Sequence, residues 1–412
     1  MNILEQATKV KGAISVLMGV TAEQLNHGIR LIADELVTHA QDIIDANGID
    51  MAHGRVNRTP EARLDRLMLD ERRIKGIASD VRDVARLPDV LGDFQGFTRP
   101  NGLKVTKLTV PLGVVGMIYE SRPNVTVDAT VLCLKSGNAV LLRGGKEAYH
   151  SNQALVKVIK SALVKAGLPE NAVELVQDTS RETALQMMKL TDYLDLLIPR
   201  GGANLIQSVK ENATVPIIET GTGNCHIYIN EDAHAQMVLD ILVNAKVQRP
   251  SVCNACESIV IDRAVAAKLL PIIKEGLEEH GVVLRGCTET VSVINVQSAN
   301  SEDFYAEYND LIISVKVVQN IDEAIAHINV HGTKHSEAII TENQSHARKF
   351  LQLIDAACVY HNASTRFSDG SELGFGAEIG ISTQKLHARG PFALKELTTY
   401  KYVIEGAGHI RA

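Results

Sequence analysis

Residues 112–119 read Leu-Gly-Val-Val-Gly-Met-Ile-Tyr, and this unbroken apolar run limits the fold more than any other feature of the chain. A run of that length is expected to be a strand buried on both faces, and such strands belong to parallel sheets covered by their own crossover helices. The sequence downstream supplies the crossovers. The spacing predicts helices at 125–134, 148–166, 182–190 and 203–210, between strands at 139–142, 173–176, 194–198 and 215–218. Ser136-Gly137 stops the first of these helices, and Gly167 with Pro169 beyond it stops the second. A further alternating block follows 227–229, with strands expected at 258–261, 282–284, 311–318 and 338–341 and helices such as 322–328 between them. The fold class expected is therefore α/β, with two doubly wound domains meeting near residue 230, a division suited to 412 residues.

Ahead of this block the grammar is helical. Leu25, Ile29, Ile32 and Leu36 recur at helical spacing within 21–46, where Asn47-Gly48 is a stop signal. Thr59-Pro60-Glu61 opens another helix, and Asp70 caps a third that ends near Leu87-Pro88. Asn101-Gly102 then marks a turn, and 103–110 alternates as a strand. The stretch from Gly370 is rich in glycine and polar residues and then basic, which predicts an arm or loop system.

Composition excludes several functions. The net charge is -7 and no basic run exists to neutralise a phosphate backbone; aromatics are only 4% with no Trp, so stacking on bases is also unprovided for. Neither a leader peptide nor a membrane span is expected. Six unevenly spaced cysteines do not make a disulfide framework, which points to reduced thiols in a cytoplasm and leaves any special cysteine a catalytic, redox or metal role.

Three stretches carry candidate chemistry. In Gln248-Arg249-Pro250-Ser251-Val252-Cys253-Asn254-Ala255-Cys256 a cysteine lies beside a cation, between a helix-like and a strand-like segment; a thiolate there is a nucleophile. The plain alternative is a small buried hydrophobe. One Cys-x-x-Cys pair lacks the four ligands of a structural zinc, so no metal is expected. In Glu219-Thr220-Gly221-Thr222-Gly223-Asn224-Cys225-His226 two glycines permit close backbone approach. Tyr119-Glu120-Ser121-Arg122-Pro123-Asn124 follows a buried strand, where ligands sit in a doubly wound sheet; Asn124 is either an oxyanion donor or a helix cap. These features alone reach a two-domain α/β enzyme and leave thiol dependence and nucleotide binding open.

Taken in order, Gly113-Val114-Val115-Gly116 and 119–124, Leu142-Arg143-Gly144-Gly145-Lys146-Glu147-Ala148, Ile198-Pro199-Arg200-Gly201-Gly202, 219–226, 244–255, Gly374-Phe375-Gly376-Ala377-Glu378-Ile379-Gly380-Ile381-Ser382-Thr383 and His387-Ala388-Arg389-Gly390-Pro391 resemble the gamma-glutamyl phosphate reductases, a branch of the aldehyde dehydrogenase superfamily. The resemblance covers most of the chain. It implies an aldehyde dehydrogenase-like fold: a cofactor domain of 1–100, 117–229 and about 360–385, a thiol domain of 230–359, and an oligomerisation arm of 101–116 and 386–412. It implies reduction of gamma-glutamyl phosphate to glutamate 5-semialdehyde by NADP(H), in proline biosynthesis, through a cysteine thioester. Cys253 is then the nucleophile, Asn124 the oxyanion donor, and Glu219 the residue where hydrolytic relatives keep a base. Lys146, Arg143, Gly201, Gly202 and Glu307 fall at cofactor positions. Tyr149, where NAD-preferring relatives often carry an acid, favours NADP. Cys256 stands where an apolar residue is expected. Arg249, His226 and Arg366 are candidate contacts for substrate carboxylate or phosphate. A homodimer or dimer of dimers, and functional coupling to glutamate 5-kinase, complete the expectation. The alternatives are a non-phosphorylating or CoA-acylating aldehyde dehydrogenase and an inactive scaffold relative.

Overall fold

The computed structural model describes residues 2–411 except 93, 371 and 376, without side-chain description at 62 and 203; Gly376 of the 374–383 match thus lies outside the described residues. Contacts divide the chain into two compact units, one of 1–219, 374–380 and 392–412 and the other of 220–373 and 381–391.

The first unit opens with helices α1 (Ile3–Leu17), α2 (Ala22–Thr38), α3 (Ala40–Val56), α4 (Glu61–Leu67) and α5 (Glu71–Arg86). Thr21 caps α2 by a reciprocal capping box with Gln24, and Asp70 caps α5 through the Arg73 N–H. Asn47-Gly48 does not stop a helix: both lie inside α3, and Asn47 is buried, donating to the Leu67 carbonyl and Ser151 Oγ and accepting from the Leu69 N–H. A sheet follows, built from β3 (Val114–Tyr119), β4 (Ala139–Gly144), β5 (Val173–Leu175) and β6 (Leu196–Arg200) in the spatial order β5-β4-β3-β6, all parallel. Every residue of β3 is buried, as the apolar run requires. The strand expected at 215–218 survives as one parallel bridge, Leu197 with Ile217. Helices α6 (Pro123–Lys135), α7 (Tyr149–Lys165), α8 (Arg181–Met187) and α9 (Ala203–Asn212) make the crossovers. Before β3, strands β1 (Phe94–Thr98) and β2 (Lys104–Pro111) form an antiparallel sheet with Thr398–Glu405, β2 in the centre.

The second unit holds one seven-stranded sheet. Its strands are β7 (Cys225–Ile229), β8 (Cys256–Asp262), β9 (Val283–Gly286), β10 (Gln297–Ser298), β11 (Ile312–Val318), β12 (Ser336–Ile340) and β13 (Cys358–His361), ordered β10-β9-β11-β8-β7-β12-β13 and parallel throughout. Helices α10 (Ala235–Val247), α11 (Arg263–Glu278) and α12 (Thr288–Val293) pack on one side, and α13 (Ile321–His331) and α14 (Gln344–Leu353) complete the crossovers. Two apolar cores flank the sheet, one around Ile227, Leu242, Ile259 and Leu270, the other around Tyr228, Ile325, Ile339 and Phe350. The boundary falls ten residues before the expected 230, because β7 hydrogen-bonds between β8 and β12; residues 360–373 also sit in this unit, whereas the sequence reading gave them to the first.

Candidate active site

In the first unit the strand order changes direction at β3: β4 and β5 lie to one side, β6 to the other. The crevice at the carboxyl ends of β3 and β6 is where ligands enter open α/β sheets. The β3 loop there is held firmly. Glu147 accepts the Ser121 N–H at 2.6 Å and its hydroxyl at 3.0 Å, and Ser121 takes a left-handed φ of 45°. On the β6 side Gly201 leads into α9, and a Cβ there would stand 2.6 Å from Glu120 Oε2. The same carboxylate accepts the Gly202 N–H at 3.1 Å. The Glu120 carboxylate therefore occupies the N-terminus of α9, and a cofactor pyrophosphate placed there must displace it.

Asn124 does not cap α6. Arg122 is the N-cap, Pro123 the first helical residue, and the Asn124 amide points along the helix, donating from Nδ2 to Asp128 Oδ2 at 2.9 Å. Burial raises the Asp128 carboxyl to about 7, with the Asn124 hydrogen bond and Arg200 opposing and Asp80 and Glu378 adding to the rise. Lys146 is exposed in a short turn after β4. Arg143 is buried, and its guanidinium donates to the Thr179 and Ser180 carbonyls, which leaves Lys146 the better placed of the two expected cofactor cations. Glu219 pairs with Lys210 at 3.0 Å.

In the second unit Cys253 lies on the loop from α10 to β8 and is partly exposed. Two walls fix that loop. On one side Gly223 is so close that a Cβ would overlap the Cys253 carbonyl, and the Cys225 thiol donates to that carbonyl oxygen at 3.2 Å. On the other, Asn254 is buried: it donates to Ser368 Oγ at 3.1 Å and Asp369 Oδ1 at 2.9 Å, accepts from Arg366, and its carbonyl takes the Thr365 hydroxyl at 2.7 Å. Arg366 also meets Asp369 at 3.0 Å and Gln248 at 3.1 Å, so its guanidinium serves the cysteine loop. The ends of the loop are tied by a fully buried ion pair, Lys246 of α10 with Glu257 of β8 at 2.6 Å; burial raises the Glu257 carboxyl to about 8, with Lys246 opposing. Glu307 accepts the Gly223 N–H at 2.8 Å, on the same wall.

These contacts separate the thiols. Cys225 and Cys256 are partners in register on β7 and β8 and wholly buried. Burial pushes the Cys256 thiol up to about 12 and the Cys225 thiol well above its ordinary range. His226 is also fully buried, its Nδ1 3.0 Å from Glu337 Oε2, which removes it from the substrate contacts expected of it. Arg249 is exposed beside the cysteine loop. Among the described residues no group of three or more His, Cys, Asp or Glu could hold a metal ion, and no helix is long and apolar enough to cross a membrane. Asp128, Glu120, Glu147 and Asn254 escaped the sequence reading; the one signal for the first was a lone acid four residues after Asn124 in an otherwise apolar helix.

Residues 70–309 match the model of the aldehyde dehydrogenase family. A gamma-glutamyl phosphate reductase of Caldicellulosiruptor bescii is 54% identical over 416 residues, covering 100% of this chain and 99% of that one. The crystal structure of the gamma-glutamyl phosphate reductase of Thermotoga maritima superposes with a TM-score of 0.96 at 48% identity, covering 100% of both chains. A propionaldehyde dehydrogenase of Rhodopseudomonas palustris, solved with bound CoA, shares the fold at a TM-score of 0.72 and 17% identity, covering 98% of this chain and 97% of that one.

Proposed function

The chain belongs to the gamma-glutamyl phosphate reductases of the aldehyde dehydrogenase family, and on that premise we propose that it reduces L-glutamate 5-phosphate to L-glutamate 5-semialdehyde with release of phosphate, in proline biosynthesis. The observation that carries the reading is the cysteine loop, where the partly exposed Cys253 is clamped on both sides while Cys225 and Cys256 are sealed and protonated.

The Cys253 thiolate attacks the acyl carbon, and negative charge gathers on the carbonyl oxygen. Asn124 Nδ2–H and the Cys253 backbone N–H are the donors assigned to that oxygen; one such donor is worth roughly 10²–10³ in rate. Phosphate departs with the electrons of the broken C–O bond, leaving a glutamyl thioester on Cys253. A bound nicotinamide cofactor supplies the hydride that reduces the acyl carbon. Cys253 then leaves as thiolate, and the semialdehyde is released. Glu219, paired with Lys210, keeps a structural or proton-handling role in a reaction that needs no water-activating base.

Lys146, Gly201, Gly202 and Glu307 are the residues assigned to the cofactor. Gly201 and Gly202 are assigned to the pyrophosphate, which takes the α9 N-terminus once Glu120 moves aside, and the exposed Lys146 is assigned to the adenosine ribose. NADP(H) is favoured because position 149 is Tyr, with no carboxylate to repel a 2′-phosphate. Arg249 is the remaining candidate for the substrate's anionic groups. The sheet of β1, β2 and 398–405 exposes Phe97, Tyr402 and Ile404 on one face, an apolar surface that supports a homodimer or dimer of dimers. A cytoplasmic location and functional coupling to glutamate 5-kinase, which makes the labile acyl phosphate, belong to the same reading.

The test is reduction of NADP and of NAD by glutamate 5-semialdehyde, with and without inorganic phosphate. Phosphate-dependent turnover favouring NADP is expected. Turnover independent of phosphate contradicts the reading in favour of a hydrolytic enzyme, and turnover that requires CoA contradicts it in favour of an acylating one.

A further inference from the structure

Helix α6 is buried along its whole length except at two positions, Asn124 and Asp128. They are one helical turn apart on the same face. The contact between them is direct, Asn124 Nδ2 donating to Asp128 Oδ2 at 2.9 Å. A primary amide has two N–H groups and rotates freely about its last side-chain bond unless something holds it. Placing a carboxylate on one N–H fixes the plane of the amide and therefore the direction of the other. A carboxylate at this place is costly, since Asp80 of α5 and Glu378 of the 374–380 segment repel it and only Arg200, at the end of β6, attracts it. An isolated structural hydrogen bond does not call for a half-buried acid among acids; a neutral glutamine or serine would serve without the repulsion.

We propose that Asp128 is a positioning residue for the reaction, orienting the Asn124 amide so that its second N–H meets the oxyanion formed at the acyl carbon. This deepens the proposed function and rests on the oxyanion role assigned there to Asn124. Protonation of Asp128 weakens it as an acceptor and gives it an O–H that is drawn to Asn124 Oδ1, which turns the amide. Since burial raises this carboxyl to about 7, the contribution of Asn124 is full above that pH and fades as the pH falls through it.

The experiment is a double-mutant cycle on kcat and KM in the phosphate-dependent oxidation of glutamate 5-semialdehyde. N124A is expected to lose about 10²–10³-fold in kcat, D128A about tenfold or more with KM unchanged, and N124A/D128A no more than N124A alone. D128N, whose side-chain oxygen still accepts from Asn124, is expected to keep most of the activity, to fold normally by circular dichroism, and to lose the part of the acid limb of kcat that wild type shows near pH 7. A negligible effect of N124A overturns the oxyanion reading and this proposal with it. A large effect of N124A with D128A within about threefold of wild type overturns the role of Asp128 alone. So does a full additional loss on adding D128A to N124A, or a D128N profile with the wild-type acid limb.

Discussion

Substitution of Gly223 by Ala isolates the geometry on which the nucleophile depends. A methyl at this position would overlap the carbonyl carbon and oxygen of Cys253 and stand 2.9 Å from its Cα. Ordinary contact between a carbon and a carbonyl oxygen begins at about 3.3 Å. The Cys253 backbone must therefore retreat by more than about 1 Å, and the far wall, where Asn254 is clamped by Thr365, Arg366, Ser368 and Asp369, resists that retreat. A misplacement of about 1 Å costs on the order of 10²-fold, equal to about 2.7 kcal/mol of barrier. Overpacking adds roughly 1–3 kcal/mol of lost stability. The assay is kcat with glutamate 5-semialdehyde and phosphate, beside the rate at which Cys253 reacts with a thiol reagent and the thermal midpoint. Gly48→Ala is the control: it lies in α3 with nothing within 4 Å of its Cβ position, so it is expected to leave kcat unchanged and add up to about 1 kcal/mol of stability. A G223A enzyme within about threefold of wild type in kcat, with normal thiol reactivity, would refute the reasoning.

The buried pair and the exposed ion cluster give two further predictions. Lys246→Met leaves the Glu257 carboxyl without its partner in a fully buried site and is expected to cost about 1–3 kcal/mol in urea unfolding, while K246M/E257L recovers most of that loss; a single variant as stable as wild type would contradict it. Asp355 is held well below the usual carboxylate range by Arg389 at 2.7 Å, Lys334 at 3.1 Å and Lys385 at 3.3 Å. Its folded pKa is depressed, so its contribution is complete above the unfolded value of about 3.9 and fades as the pH falls toward the folded one. The stability deficit of D355N is therefore expected to be constant from pH 7 to pH 5 and smaller at pH 3.5; an equal deficit at all three is the contrary result.

The parallel architecture was legible because fully covered strands leave apolar runs: all of β3, residues 227–229 of β7 and 259–261 of β8, each strand buried from end to end. Local signals failed where a distant partner outbid them. Asn47-Gly48 is a poor helix interior in isolation, yet Asn47 finds three partners in 67–69 and 151 that no local rule contains. His226 read as a substrate contact because it follows a glycine-rich loop, yet it and Cys225 open a central strand and are fully buried. The glycine-rich loop itself carried weak information, since its meaning is the proximity of Gly223 to Cys253, thirty residues downstream in the chain. Asp128 was missed for the opposite reason: a single acid on a helix reads as a solvated face until its partner Asn124 is seen.

The central claim is that Cys253, and no other thiol, carries the acyl group. Enzyme mixed with glutamate 5-semialdehyde and NADP in the absence of phosphate, quenched in acid and digested, should yield a 248–256 peptide bearing a glutamyl group on Cys253, lost again when phosphate is added before the quench. A glutamyl group on Cys256 or Cys225, or turnover with no acylated cysteine at all, would contradict it.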